Sequence, residues 1–292
     1  MESARSLIEG IMKKYNIPDW VEPYALKYAR HNPLKTVKFA LSFIETRRKK
    51  GAVANGYVLL PNGTKMKLDT LIRLLNIIFY EQDLMAKVAK RWANAPVGYD
   101  SKYSKYANEF SEAEAKHAIA IKNLIEGLGY KVGEPDKGIE GLFDYIGSLD
   151  TWYKRLIAVN IVLRNAYAKA FGEILYKIFY SVSPEYMRAF RKVFSENEYH
   201  AAWGAEETRR IIREHLLSDS EVIDLAEEIV KRVLATIDFN MYIAKDAGVE
   251  YEVRFLRDIA ILYPFETLKE IGVKVDPDEE LKRVKDSADR YK

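Results

Sequence analysis

Apolar residues recur at helical spacing along most of this chain, and the runs between them are short and polar. Leu74, Ile77, Ile78, Leu84, Met85 and Val88 form one stripe, which predicts a helix over 70–93 with Asp69 as its N-cap. Phe110, Ile121 and Leu124 mark a second helix that ends at a C-cap on Gly127 or Gly129. A polar connection over 131–138 leads to a short helix near 142–146. A third long helix is expected over 151–180, with Leu156, Val159, Leu163, Tyr167, Ala170, Ile174 and Ile178 facing inward. Ser183-Pro184-Glu185 reads as the start of a fourth, running to about His215. Helices over 220–245 and 251–271 follow, and the charged segment from Val275 is expected to fray.

Ahead of these elements, Pro18 and Pro33 separate three short helices over 2–15, 20–30 and 34–50. Residues 57–60 and 65–68 flank Pro61-Asn62-Gly63-Thr64, a hairpin signal. With no other strand in the pattern, the class is all-α. Three segments follow from this reading: residues 1–68, helices plus hairpin; 69–216, a four-helix set; and 217–292, helices with a charged tail.

The composition excludes several chemistries. No cysteine is present, so disulfides, thiolate metal sites, iron–sulfur clusters and cysteine nucleophiles drop out. No apolar run reaches the ~18 residues of a membrane span, and the N-terminus lacks the apolar centre of a signal peptide. Both point to a cytoplasmic protein. Residues 1–70 hold 13 Lys and Arg against 6 Asp and Glu, although the whole chain is only +3. Three helices and a hairpin are also the order of winged-helix DNA-binding domains, so this basic segment is the place for a nucleic-acid-binding alternative. Arg47-Arg48-Lys49-Lys50, however, falls at a helix C-terminus, where cations complement the exposed carbonyls. A solvated helix end explains it without nucleic acid.

The chemically informative stretch is residues 110–121, where Glu114 and His117 sit one helical turn apart on the face carrying Phe110 and Ile121. A buried carboxylate needs a partner or a metal. Other polar residues fall on the inner faces of the neighbouring long helices. These are Glu81 on the first, Glu173 as the only acid on the third, and His200 on the fourth, preceded by Glu196 and Asn197. The plainer alternative is an ordinary ion pair, with Arg164, Lys169 and Lys177 as partners for the acids. His31 and His215 read as structural.

This order of an acid, Glu-x-x-His, an acid and a near Glu-x-x-His over residues 69–215 resembles the ferritin-like di-iron carboxylate proteins. In that superfamily two helices give one glutamate each and two give Glu-x-x-His. The resemblance implies a four-helix bundle holding two iron ions or a manganese/iron pair. The ligands would come from Glu81, Glu114, His117, Glu173, His200, and Glu196 or Asn197. Asn197 departs from the pattern, because it stands where the motif has glutamate. Glu196 then takes its place, or the second metal position is weak, or the protein is a metal-free structural partner of an active subunit. The length and extra helices are similar to the oxidase and oxygenase branch: ribonucleotide-reductase small-subunit-like oxidases, acyl desaturases and phenylacetyl-CoA oxygenase subunits. The resemblance thus implies a homodimeric oxidase or hydroxylase using dioxygen, an electron-donor protein and a small apolar or acyl substrate. Tyr80, Tyr167, Tyr199 and Trp203 are the expected lining of its cavity.

Overall fold

A computed structural model describes residues 52–54, 56–60, 64–94, 101–169, 200 and 202–289. The predicted helices at 2–15, 20–30 and 34–50 lie outside these residues, as do the last third of the third long helix, 170–180, and the start of the fourth. The described residues are mostly helical, with one small sheet. No helix among the described residues is long and apolar enough to cross a membrane.

The hairpin is the core of a three-stranded antiparallel sheet: β1 (Ala52–Ala54), β2 (Tyr57–Leu59) and β3 (Lys65–Lys67), in that order. Val58 pairs with Met66, and both are fully buried, whereas their strand neighbours are exposed. This alternation seats one face of the sheet on the helices. β1 is an addition to the expected pattern; Ala52-Val53-Ala54 is too short to show a period.

Helix α1 (Leu68–Ala93) follows β3 directly. Lys67, not Asp69, is its N-cap residue, with no side-chain cap. Asp69 sits inside the first turn and accepts a hydrogen bond from the Tyr130 hydroxyl. The helix therefore begins directly after the last strand residue, two positions ahead of the expected start. Helix α2 (Ser101–Gly127) packs along α1. Two serines of α2 reach across it: Ser104 donates to the Ala93 carbonyl at 2.6 Å and Ser111 to the Ala86 carbonyl at 2.8 Å. Gly129 (φ 84°) takes the left-handed position after α2.

Helix α3 (Lys137–Ser148) is longer than its apolar pattern suggested, because the Asp136 side chain accepts from the Gly138 and Ile139 amides and starts it early. Thr151 caps helix α4, which begins as Trp152–Leu156 and continues with π-helical hydrogen bonding over Ile157–Lys169. Every residue from Leu156 to Ala166 is buried. A helix buried on all sides belongs in the middle of a fold, and α4 is that element, with Asn160, Arg164 and Asn165 as its buried polar residues. Helix α5 occupies residues 202–213, α6 is Asp219–Phe239 and α7 is Met241–Asp246. The single helix expected over 220–245 is thus broken at Asn240. Helix α8 (Glu250–Glu270) and α6 both pack on α4.

The charged C-terminal segment is ordered rather than frayed. Pro277–Asp289 forms helix α9, with Val284 fully buried. Arg283 pairs with Glu227 of α6, and Lys285 pairs with Asp258 of α8, each at 2.8 Å. Its charges face partners on two helices, which sequence spacing alone does not reveal.

Candidate buried polar centre

The buried stripe of α2 carries Glu114 and His117, 1% and 2% exposed, as the helical spacing predicts. The i, i+3 offset places His117 Nδ1 3.4 Å from Glu114 Oε2. The same nitrogen lies 3.2 Å from Gln82 Oε1 on α1. The other carboxylate oxygen, Glu114 Oε1, accepts from Arg164 Nη2 of α4 at 2.7 Å, with both side chains buried. The Arg164 guanidinium also lies over the Phe110 ring, 5.1 Å from its centroid, a cation–π contact.

Glu81, Gln82, Met85, Glu114, Val159, Leu163 and Arg164 enclose a cavity of about 20 Å³. That is room for about one water molecule. Glu81 is partly buried, and its carboxyl is pushed up to about 8, first by burial and then by the Glu114 charge, with Arg164 opposing. Burial also raises the Glu114 carboxyl, but Arg164 and His117 more than offset it, so Glu114 stays below the usual carboxylate range. One glutamate is held charged by a guanidinium and the other is driven toward its neutral acid.

A second polar group adjoins this one. His200 is buried, and its Nδ1 lies 3.1 Å from the Tyr106 hydroxyl of α2. Asn160 of α4 donates from Nδ2 to that hydroxyl and to the His200 carbonyl, the latter at 2.9 Å. Burial first, then the nearby charges of Arg164 and His117, hold His200 down to about 4 against the pull of Glu114. On α5, Gly204 lets the helix approach α4: a Cβ there would stand 2.3 Å from the Asn160 Cβ. Trp203 stacks on Tyr106 with centroids 3.7 Å apart.

The structure therefore brings Glu81, Glu114 and His117 to one centre and His200 to the polar group beside it. Glu173, Glu196, Asn197 and Tyr199 lie outside the described residues, as does the side chain of Tyr167. Tyr80 turns away from the cavity and donates to the Gly133 carbonyl at 2.7 Å. Trp203 packs on Tyr106 rather than lining the cavity. Gln82, Tyr106 and Asn160 are members of the centre that the sequence reading misses, and Arg164 enters that reading only as an ion-pair partner. A signal for two of them is present: Asn160 and Arg164 interrupt an otherwise apolar run, and a polar group there needs a partner.

Of the ligands that the resemblance implies, the described residues include Glu81, Glu114, His117 and His200. Among the described residues no three His, Asp or Glu side chains form a group able to hold a metal ion. One oxygen of Glu114 is taken by a fixed cation. His117 Nδ1 is likewise turned to Gln82 and to the other Glu114 oxygen. No protein-family model matches the chain, and no curated protein matches it in sequence.

Proposed function

We propose that this chain is a metal-independent relative of the ferritin-like carboxylate proteins, a structural or partner subunit rather than a dioxygen-activating oxidase. The observation that supports this reading is the buried Arg164–Glu114 pair. A di-metal site uses carboxylates to offset the charge of two dications. Here a guanidinium supplies positive charge at the carboxylate, and the remaining one, Glu81, is relieved by taking up a proton. The test is elemental analysis of protein purified without chelator from metal-supplemented cultures, together with thermal melts in chelator. Less than about a tenth of an equivalent of iron, manganese or zinc and an unchanged melting temperature are expected. Near-stoichiometric metal overturns the reading.

A second reading, a di-metal oxidase or hydroxylase, is favoured by one feature: Glu81, Glu114 and His117 lie together on two helices, with His200 of a third stretch in the adjoining polar group. It requires Arg164 to leave Glu114 and Glu173, Glu196 or Asn197 to complete the ligands. Stoichiometric metal in the same analysis supports it.

A further inference from the structure

We infer that Arg164 is an internal counter-cation standing at the place of an acidic metal ligand, so that the centre is a latent divalent-metal site closed by this one side chain. The inference rests on the metal-independent reading above and names the residue responsible for it.

Position is the first argument. Glu114 follows Glu81 by 33 residues, and Asn197 follows Arg164 by the same 33. His117 and His200 then come three residues after Glu114 and Asn197. The chain thus repeats one pattern twice, as Glu81…Glu114-x-x-His117 and Arg164…Asn197-x-x-His200. In the second copy a cation replaces the first acid and a neutral amide replaces the second. Arg164, not Glu173, is the counterpart of Glu81 in this register.

Geometry is the second argument. Counterparts in such a repeat should meet at one centre. Arg164 and Glu81 do line the same cavity, and the Arg164 guanidinium and the His200 ring both lie against the Phe110 ring, 5.1 and 4.8 Å from its centroid. The third argument is the incomplete solvation of the guanidinium. Arg164 is 7% exposed, and its buried Nε has no hydrogen-bond partner among the described residues. A guanidinium evolved as one arm of a fully satisfied ion pair uses its nitrogens better than this. Its single charge also balances only one of the two carboxylates at the cavity.

Removing the guanidinium leaves two carboxylates lining a water-sized space, with His117 beside Glu114 and His200 in the adjoining polar group. That donor set suits a first-row divalent ion with water in its open positions. The experiment uses the full-length wild type, Arg164→Gln and Arg164→Glu, stripped with chelator and titrated with Co²⁺. It reads equilibrium dialysis and the visible ligand-field bands of the bound ion. Both variants are expected to bind about one Co²⁺ or more per chain where the wild type binds less than about a tenth. Their melting temperatures are expected to rise with Co²⁺ while that of the wild type does not.

If folded variants bind no more Co²⁺ than wild type, the inference is overturned and the metal-independent reading stands. If the wild type itself binds a full equivalent, that reading falls, and with it the inference. A variant that is unfolded alone is judged by far-ultraviolet circular dichroism with Co²⁺. Regained helicity supports the inference, and a chain that stays unfolded counts against it.

Discussion

Arg164 Nη2 lies 2.7 Å from Glu114 Oε1 in the interior, and each side chain is the other's closest source of opposite charge. Removing one partner strands a buried charge, which costs about 3–5 kcal/mol, whereas replacing both with apolar groups of similar volume is often neutral. Glu114→Leu and Arg164→Met are therefore each expected to destabilise by about that amount, and the double variant by clearly less than the sum. Chemical denaturation of the four proteins measures the coupling. Additive costs would show that the pair contributes nothing as a pair.

The stripe of α2 is legible in the sequence because its period is long and uninterrupted: Phe110, Glu114, His117 and Ile121 all face inward as their spacing requires. The third long helix is legible as buried, yet its chemistry is not. Sequence periodicity reports which face a residue occupies, not which partner it meets fifty positions away. That is why Arg164 passes for an ordinary cation and the partners of Asn160 are not evident, although both residues interrupt an apolar run. The C-terminal helix is hidden for a related reason. Its charges resemble a solvated tail until Glu227 and Asp258 are placed beside Arg283 and Lys285.

Glu81 gives the centre a pH signature. Its carboxyl titrates near 8 in the folded chain, against 4.5 for the ordinary group. Between those values the folded state keeps a proton that the unfolded chain has lost, so stability falls as pH rises through this window. The penalty is complete above about pH 8. Glu81→Gln removes it, and the variant is expected to match wild type near pH 4.5 and exceed it above pH 8. Every tenfold difference in proton affinity between the folded and unfolded chain is worth about 1.4 kcal/mol. Denaturation midpoints of the two proteins across pH test this, and parallel curves would sink it.

Gly204 of α5 lies hard against Asn160 of α4. An added methyl there would stand 2.3 Å from the Asn160 Cβ. Asn160 cannot easily retreat, because its amide is bonded to Tyr106 and to the His200 carbonyl. Gly204→Ala, ordinarily favourable in a helix, is expected here to destabilise by about 1–3 kcal/mol. A stabilised Gly204→Ala variant in thermal melts would mean that the helices do not meet at this point.

The ordered C-terminal helix makes Val284 a sensitive position. It is fully buried, whereas the salt bridges of Arg283 and Lys285 are partly exposed. Val284→Asp buries an unpartnered carboxyl and is expected to cost about 3 kcal/mol or more. Arg283→Ala should cost less than about 1 kcal/mol. Equal effects in urea titrations would indicate that α9 is held by its charges and not by its apolar contact.

The acid limb of stability should belong to His200. Its imidazole is held down to about 4 in the folded chain, against 6.5 for the free group. The fold therefore resists protonation there: the full benefit of neutral His200 is present above pH 6.5 and is lost as pH falls from 6.5 through 4. This slope opposes that of Glu81, which weakens the fold as pH rises, so each is separable by its own variant. His200→Gln should flatten the profile between pH 6.5 and 4 and leave the alkaline limb intact. Tyr106→Phe tests the same centre without touching a charge. It deletes the hydroxyl that faces His200 Nδ1 and accepts from Asn160. Stranding that buried donor is expected to cost about 1–3 kcal/mol at every pH. If Tyr106→Phe instead reproduced the flattened acid limb of His200→Gln, the hydroxyl, rather than burial, would be what keeps the imidazole neutral.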